Sequence, residues 1–473
     1  MRITFLEPPP VGNKIPERFA GCSYELYHFP DLANFYIMAN LYNAGFEVSY
    51  IDAILAGYSS DRFYDKLKQD DSDFYIIHSV ILSKRTDLFT IKRIREIKKD
   101  VIIIFHGPEP TRVPEEYLID EKILVFRGEP EVNVLNYLKK EEERGMSYLR
   151  GSMFRHIEPA GELVNLDNLP FPLRDHKSLK PYIESYFNPK FRQKPYTIMM
   201  TSRGCRFKCL FCVPVSISFA RELEYRRYFN KKPPVSIASA RHVTDEFKEI
   251  KKQGFKSVMI VDDQFLWSKD RTFEICEGIK DLGVEWGCLS RADFLIDEEI
   301  VKALASSGCH SVDIGVESLD QKILDYIQKE LTVDTIYLAL ENLKKYKINP
   351  KINIMLGTCP EETSQDIGNM INRLKKLYAG EVMFSLATPF KGTEFYTFCK
   401  DSGYLVDESD EIDPFNKSIV TYPSLTKKEL ENLQKYAYRS YYLRPRYIWH
   451  RIKSYTKLSD IFRDIKLAIN LLR

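Results

Sequence analysis

Thr201-Ser202-Arg203-Gly204-Cys205-Arg206-Phe207-Lys208-Cys209-Leu210-Phe211-Cys212 gathers three of the chain's nine cysteines within eight residues. Clustered thiolates suit soft metals, and four-iron, four-sulfur clusters are held by cysteine thiolates. Three cysteines for four irons leave one iron without a protein ligand, and an open coordination position distinguishes reactive metal sites from structural ones. Two other readings stand beside this one. Zinc needs a fourth ligand nearby, and Arg206 and Lys208 are not ligands; a disulfide pair leaves one thiol over. The run directly follows an apolar stretch, 196–201, that reads as a strand.

The spacing C-x3-C-x2-C, with Phe211 before the last cysteine, resembles that of the radical S-adenosylmethionine (SAM) superfamily. The resemblance implies a cluster held by Cys205, Cys209 and Cys212, whose bare iron binds the amino and carboxylate groups of SAM. An electron then cleaves SAM to a 5′-deoxyadenosyl radical that abstracts hydrogen from unactivated carbon. Outward from the triplet, strand patterns at 196–201, 257–261, 285–289, 312–316, 351–356 and 382–386 alternate with helical patterns at 240–252, 270–281, 297–307, 320–328, 333–346 and 363–377. Six units fit the partial (β/α)6 TIM-type barrel of that family, whose chemistry lies at the C-terminal ends of the strands. The cysteine loop falls there.

Other strand ends carry groups suited to SAM. Asp262 and Asp263 follow the second strand, where a carboxylate can accept charge-assisted hydrogen bonds from an ammonium; a solvated turn or helix cap is the plainer reading. Ser290 and Arg291 follow the third, with arginine's planar fork matched to a carboxylate and a surface ion pair as the alternative. Gly315 and Glu317 match the family's G-x-E-S after the fourth strand. After the fifth, Thr358, Cys359 and Pro360 depart from the family's G-x-P-G-E, and Cys359 reads as an inert thiol. The motif set names no catalytic side chain. The match extends through Thr388-Pro389-Phe390-Lys391-Gly392-Thr393-Glu394.

Upstream, strand patterns near 3–6, 47–52, 74–77, 101–105 and 123–126 alternate with helical stretches near 32–44, 60–68, 84–98 and 131–143. Such alternation argues for a doubly wound parallel sheet, Rossmann-like, with ligands beyond the carboxyl ends of its strands. No G-x-G-x-x-G follows the first strand, which argues against nicotinamide or flavin. These segments are similar to the cobalamin-binding domain found ahead of many radical SAM cores. Its G-G-P-x-P-T turn corresponds to His106-Gly107-Pro108-Glu109-Pro110-Thr111, and its R-G-E to Arg127-Gly128-Glu129. The resemblance implies a cobalamin edge made by Pro9, Asp52, Ser79, Val80, Gly107, Pro108, Gly128 and Glu129. His106 replaces a family glycine and could crowd the corrinoid. The D-x-H-x-x-G motif that supplies an axial histidine in another cobalamin class is absent, so cobalt without histidine ligation is expected. The plainer alternative is a flavodoxin-like domain with a structural role.

The expected layout is α/β throughout: a cobalamin-binding-type domain over 1–144, a linker over 145–193, the radical SAM core over 194–405, and a helical basic and aromatic region over 406–473. Net charge of +2 exerts no global pull toward nucleic acid. The N-terminus lacks a signal-peptide layout and no apolar run reaches about 18 residues, so a cytoplasmic enzyme is expected. The remaining cysteines are scattered singly. From Ser424 onward there are 12 Lys and Arg against 4 Asp and Glu. Tyr436, Tyr438, Tyr441, Tyr442, Tyr447 and Trp449 interleave with arginines, and an apolar stripe from Ile452 to Leu472 recurs at helical spacing. That pattern suits an interfacial helix on anionic lipid, or a helix packed on the barrel with a solvated basic face.

The reading is therefore a radical SAM enzyme that methylates, couples or rearranges carbon, with a cluster, SAM and cobalamin as cofactors. A ferredoxin or flavodoxin would supply electrons to it, and its substrate would be a small molecule, a membrane lipid or an isoprenoid. A tRNA methylthiotransferase shares the cysteine motif but brings a second triplet, and only Cys22 precedes residue 205 here. A corrinoid- or SAM-binding sensor is the rival outside enzymes.

Overall fold

The computed structural model describes residues 1–449 except Ala160, Glu411 and Arg446. Two compact units compose the chain. Met1–Arg206, Val213–Ser290 and Lys302–Ser311 form the first; Phe207–Cys212, Arg291–Val301 and the chain from Val312 onward form the second.

The first unit opens with strands β1 (Arg2–Glu7), β2 (Glu47–Asp52), β3 (Phe74–His78), β4 (Ile102–His106) and β5 (Ile123–Phe126). All five are parallel, in the order β2-β1-β3-β4-β5. Helices α1 (Leu32–Asn43), α2 (Ser60–Gln69) and α3 (Lys84–Ile97) make the crossovers. Coverage on both faces is why β3 and β4 read as near-continuous apolar runs. Leu6, Tyr75, Ile77, Phe105 and Val125 meet Ile91, Ile94 and Tyr117 in one buried cluster. The doubly wound expectation is met. The stretch expected to be connector adds two antiparallel strands, β6 (Met146–Arg150) and β7 (Met153–His156), beside β5. Both lie at the sheet's margin, with β7 exposed throughout, so neither shows the apolar alternation that marks a half-buried strand.

The expected barrel is also present. Strands β8 (Tyr196–Met199), β9 (Ser257–Ile260), β10 (Glu285–Ser290), β11 (Cys309–Glu317), β12 (Asn349–Leu356) and β13 (Glu381–Leu386) form a second sheet in strict chain order. Helix α4 (Ser216–Phe229), after the cysteine loop, has no counterpart among the predicted helices. Its buried face includes Glu224, paired with Arg127, and Arg221, which donates to Pro234 O and Ser236 and lies 3.6 Å from Glu129, so no apolar stripe reveals it.

In the second unit, helix α5 (Lys427–Tyr442) starts on a capping box of Thr426 and Glu429 and covers the edge of β13. Gln434 donates to Phe384 O (2.8 Å), Phe384 N donates to Tyr438 (3.2 Å), and Val382 N donates to Tyr442 (2.9 Å). The spacing i, i+4, i+8 puts three polar side chains in one row against an unpaired strand edge. Part of the aromatic tail thus packs on the barrel. The Ile452–Leu472 stripe lies outside the described residues, and no described helix is long and apolar enough to cross a membrane.

Candidate functional site

The cysteine loop begins where β8 ends and is fastened at both ends by neighbouring carboxylates. Buried Asp262, just beyond β9, accepts from Thr201 N and Oγ1 (both 2.6 Å) and from Ser202 Oγ (2.7 Å). Burial pushes its pKa up to about 6 against those hydrogen bonds. Asp263 accepts from Gly204 N (3.0 Å) and Val215 N (2.9 Å), bracketing the loop. Both aspartates therefore spend oxygens on the loop backbone. Gly204 turns with φ +84°, and a side chain there would press on Arg221.

Arg203, wholly buried beside Gly204, pairs with Glu129 (2.8 Å) and Glu131 (2.6 Å) and lies over the Tyr36 ring. The R-G-E segment thus grips the residue two before Cys205. Sequence reasoning missed Arg203 because a lone arginine before a cysteine motif carries no sign of its distant partners.

None of the three motif cysteines forms a disulfide; Cys205 and Cys209 are half-buried and Cys212 is exposed. Cys276, Cys288, Cys309, Cys359 and Cys399 are buried. Burial pushes the Cys276 and Cys399 thiols up to about 12 and raises Cys359, which suits inert packing groups. Among the described residues no three His, Cys, Asp or Glu side chains converge on the position of a single metal ion. A four-iron cluster takes one thiolate per iron and spreads its ligands over a wider body. Accessible soft donors on one short loop fit that group.

In the second unit, Phe207 and Phe211 of the loop meet two cations. Arg291 lies 3.5 Å above the Phe207 ring and pairs with Asp293 (3.1 Å). It also donates to the carbonyls of Lys329 (2.8 Å) and Glu330 (3.1 Å). Glu317 binds the buried Lys329 ammonium at 3.0 Å. A Cβ on Gly315 would come within 2.6 Å of Glu317 Oε1, so glycine is needed for this pair rather than for ligand approach alone. Burial works to lower the Lys329 pKa, but Glu317 and Cys209 outweigh it and hold the side chain charged. Sequence reasoning missed Lys329, which follows the helical pattern at 320–328 and carries no sign of Glu317 as its partner. Ser290 closes β10 as a buried residue.

At the first sheet's carboxyl edge, Asp52, Ser79, Val80, Gly107, Pro108 and Gly128 are buried, while Pro9 and Glu129 are half-buried. Asp52 accepts from Ile54 N (2.9 Å) and Leu55 N (2.8 Å). Ser79 bonds Tyr117 (2.7 Å) and Asp87, and Gly128 abuts Glu224 of α4. Arg18 reaches the crevice between β1 and β3, where the strand order reverses, binding Glu7, the His78 carbonyl and Asp87. His106 stacks flat on His78 (4.8 Å, 7°) and bonds Asn34 (2.8 Å) beneath the edge. His78 Nε2 is buried and lacks a hydrogen-bond partner among the described residues, a polar group at this edge that a ligand can satisfy. Glu7, Glu17, Arg18, Glu25, Asp31 and Asp52 line a narrow cleft of about 20 Å³.

Residues 199–374 match the radical SAM superfamily. A protein of Pyrococcus horikoshii, named an uncharacterized methyltransferase, is 27% identical over 426 residues, 86% of this chain and 87% of that one. Among solved structures, the radical SAM methyltransferase TsrM of Kitasatospora setae superposes with a TM-score of 0.65 at 14% identity, over 86% of this chain and 77% of that one. The cobalamin-dependent radical enzyme OxsB gives 0.62 at 18% identity over 84% of this chain, which spans only 55% of OxsB. With the cysteine loop at the end of the first barrel strand, residues 199–374 match the radical SAM superfamily as a domain, and with the doubly wound sheet ahead of it the chain has the fold of the cobalamin-dependent and methyltransferase radical SAM enzymes on which it superposes.

Proposed function

We propose that the chain is an enzyme that uses SAM-derived radical chemistry to methylate, or form bonds at, an unactivated carbon. The observation that carries this is the loop of three accessible cysteines, in no disulfide, fastened by Asp262 and Asp263 at the end of β8. Cys205, Cys209 and Cys212 would hold a four-iron cluster. When bound, cluster and SAM supply one-electron cleavage of the sulfonium and a carbon radical able to abstract hydrogen. The chain's own side chains bind and orient. Ser290 and Arg291 would lie by the SAM carboxylate, Arg291 with most of its donors already given to Asp293 and to the carbonyls of Lys329 and Glu330. Glu317 and Gly315 would bind the ribose or amine, and Phe211 gives a ring beside the loop. Asp262 and Asp263 act through the loop they hold.

Cobalamin would take the edge of the first sheet, with Pro9, Asp52, Ser79, Val80, Gly107, Pro108, Gly128 and Glu129 around it and a methyl group as its cargo. The partnerless Nε2 of His78 supports a ligand there. His106 lies stacked and bonded beneath that edge, which supports cobalt without a bond to it. The boundaries 1–144, 145–193, 194–405 and 406–473 are part of this proposal, as are a small-molecule or isoprenoid substrate, a low-potential electron donor such as a ferredoxin or flavodoxin, a cytoplasmic location and contact of the basic tail with anionic membrane.

Anaerobic reconstitution with iron and sulfide, followed by chemical reduction, tests the reading. Wild type is expected to convert SAM to 5′-deoxyadenosine and methionine. A variant with all three motif cysteines changed to alanine that still makes 5′-deoxyadenosine would end it. Supplied hydroxocobalamin that fails to co-purify at any ratio removes the methyl carrier.

A further inference from the structure

Lys329 is a buried charge that the reading above leaves without a task. Its side chain is 7% exposed and its ammonium lies 3.0 Å from Glu317 Oε1. It also lies 5.7 Å from the centre of the ring of Phe211, which is two residues from Cys209 on the cysteine loop. The backbone around it is unusual: Gln328 (φ 55°), Glu330 (φ 53°) and Glu317 (φ 63°) all hold the left-handed region without being glycine. Non-glycine residues persist there only where the surrounding structure over-determines them, and such positions gather at functional sites. Here the determinants are visible. Leu210 of the cysteine loop donates to Ile327 O (3.1 Å), and Arg291 holds the carbonyls of Lys329 and Glu330. The 327–330 segment is therefore tied to the loop on one side and to Arg291 on the other.

We infer that Lys329 is a positioning residue that, clamped by Glu317, sets a fixed positive charge beside the Cys209 thiolate and raises the reduction potential of the cluster held there. The inference rests on the cluster reading above. A reduced cluster carries one more negative charge than the oxidised one, so a nearby cation favours the reduced state. Net charge and contacts around the sulfurs are among the factors that set such potentials. Burial keeps the interaction from being screened by salt. The electron comes from a low-potential one-electron donor and stays on the cluster irons; no bond forms or breaks in this step.

The test is an anaerobic redox titration followed by electron paramagnetic resonance, without SAM, on wild type, Lys329→Met, Lys329→Arg and the double variant Lys329→Met/Glu317→Leu. Iron and sulfide are measured first. A wild type that assembles no cluster overturns the cluster reading itself. With clusters intact, Lys329→Met is expected to cut the reduced-to-oxidised ratio at fixed potential about tenfold, a shift of about 59 mV for one electron. Lys329→Arg restores it. The double variant removes both charges, leaves the local net charge unchanged and no carboxylate unpaired, so it covers a folding failure of the single change. Because the ammonium is the member of the pair over the Phe211 ring, it shifts the same way by less. Equal potentials in wild type and double variant overturn the inference. So does loss of cluster from both methionine variants with native circular dichroism, which would assign Lys329 to assembly.

Discussion

The chain holds two sheets, one parallel and one parallel but for two marginal strands, whose parallel strands end in polar loops, and the two ends are used differently. At the first sheet, Arg18, Glu7, Asp87, Ser79 and Tyr117 bind one another across the crevice where strand order reverses. Glu129 and Glu131 are taken by Arg203. At the cysteine loop, the carboxylates hold backbone and the soft donors stay accessible. The first edge spends its polar groups on the chain itself; the second keeps its reactive groups for something else. A family motif can therefore carry a packing duty beside the ligand contact it implies, and Glu129 of the R-G-E segment carries one here.

The largest expected effect tests that duty. Arg203→Met leaves buried Glu131 facing no guanidinium and Glu129 with only Arg221 at 3.6 Å, and breaking such a buried pair costs about 3–5 kcal/mol. Denaturant unfolding of the anaerobic protein measures it. A loss below about 1 kcal/mol would free Glu129 for the ligand role its motif implies and blur the comparison.

Next is a pH effect at the first edge. Burial pushes Asp52 from its ordinary 3.8 to about 7, helped by Glu25 and opposed by His28 and the amides of Leu55 and Ile54. Between about pH 4 and pH 7 the unfolded chain releases a proton that the folded chain keeps, so this group's contribution to stability falls as pH rises through that window and is level above it. At about 1.4 kcal/mol per unit the swing is on the order of 4 kcal/mol. Asp52→Asn does not titrate, so its stability relative to wild type should climb from pH 4 to pH 7. A constant difference across that range would mean Asp52 is ionised, and the edge more open than its hydrogen bonds imply.

How legible all this was depends on which interactions carry each element. Strands such as Ile102–His106 and Ser257–Ile260 are apolar on both faces, and that signal is local in sequence, so both sheets could be read directly. Helix Ser216–Phe229 could not, because its buried face is held by Arg221–Glu129 and Arg127–Glu224, whose partners lie about 90 residues upstream. The same holds at the site. Cys205, Cys209 and Cys212 announce themselves by spacing, whereas Lys329 owes its setting to left-handed backbone and to a glycine at 315 that spacing does not encode.

Two glycines of the first edge separate packing from ligand approach more finely. A Cβ at Gly107 would sit 2.5 Å from Ser79 O, while one at Gly128 would meet only the Glu224 side chain at 3.1 Å. Both have positive φ, which costs an alanine about 1–2 kcal/mol. Gly107→Ala adds a backbone clash and should lose about 2 kcal/mol or more; Gly128→Ala should lose less. The reverse order in thermal unfolding would mean that α4 is the more rigid wall.

The smallest effect concerns the lateral edge of the barrel sheet, which, like the first sheet's carboxyl edge, is closed by the chain's own side chains. Tyr442 both accepts from Val382 N (2.9 Å) and donates to Val382 O (2.7 Å), whereas Tyr438 only accepts from Phe384 N (3.2 Å). A net hydrogen bond is worth about 1 kcal/mol, and a buried backbone group left unmet costs about as much again. Tyr442→Phe strands two backbone groups and Tyr438→Phe one, so the first should destabilise by about 1–2 kcal/mol and the second by about half that. Val382 and Phe384 amides should exchange with deuterium faster in the matching variant only. Exchange that quickens at both amides in either variant would show that α5 leaves the strand as one body, and that its row of polar side chains closes the edge cooperatively rather than bond by bond.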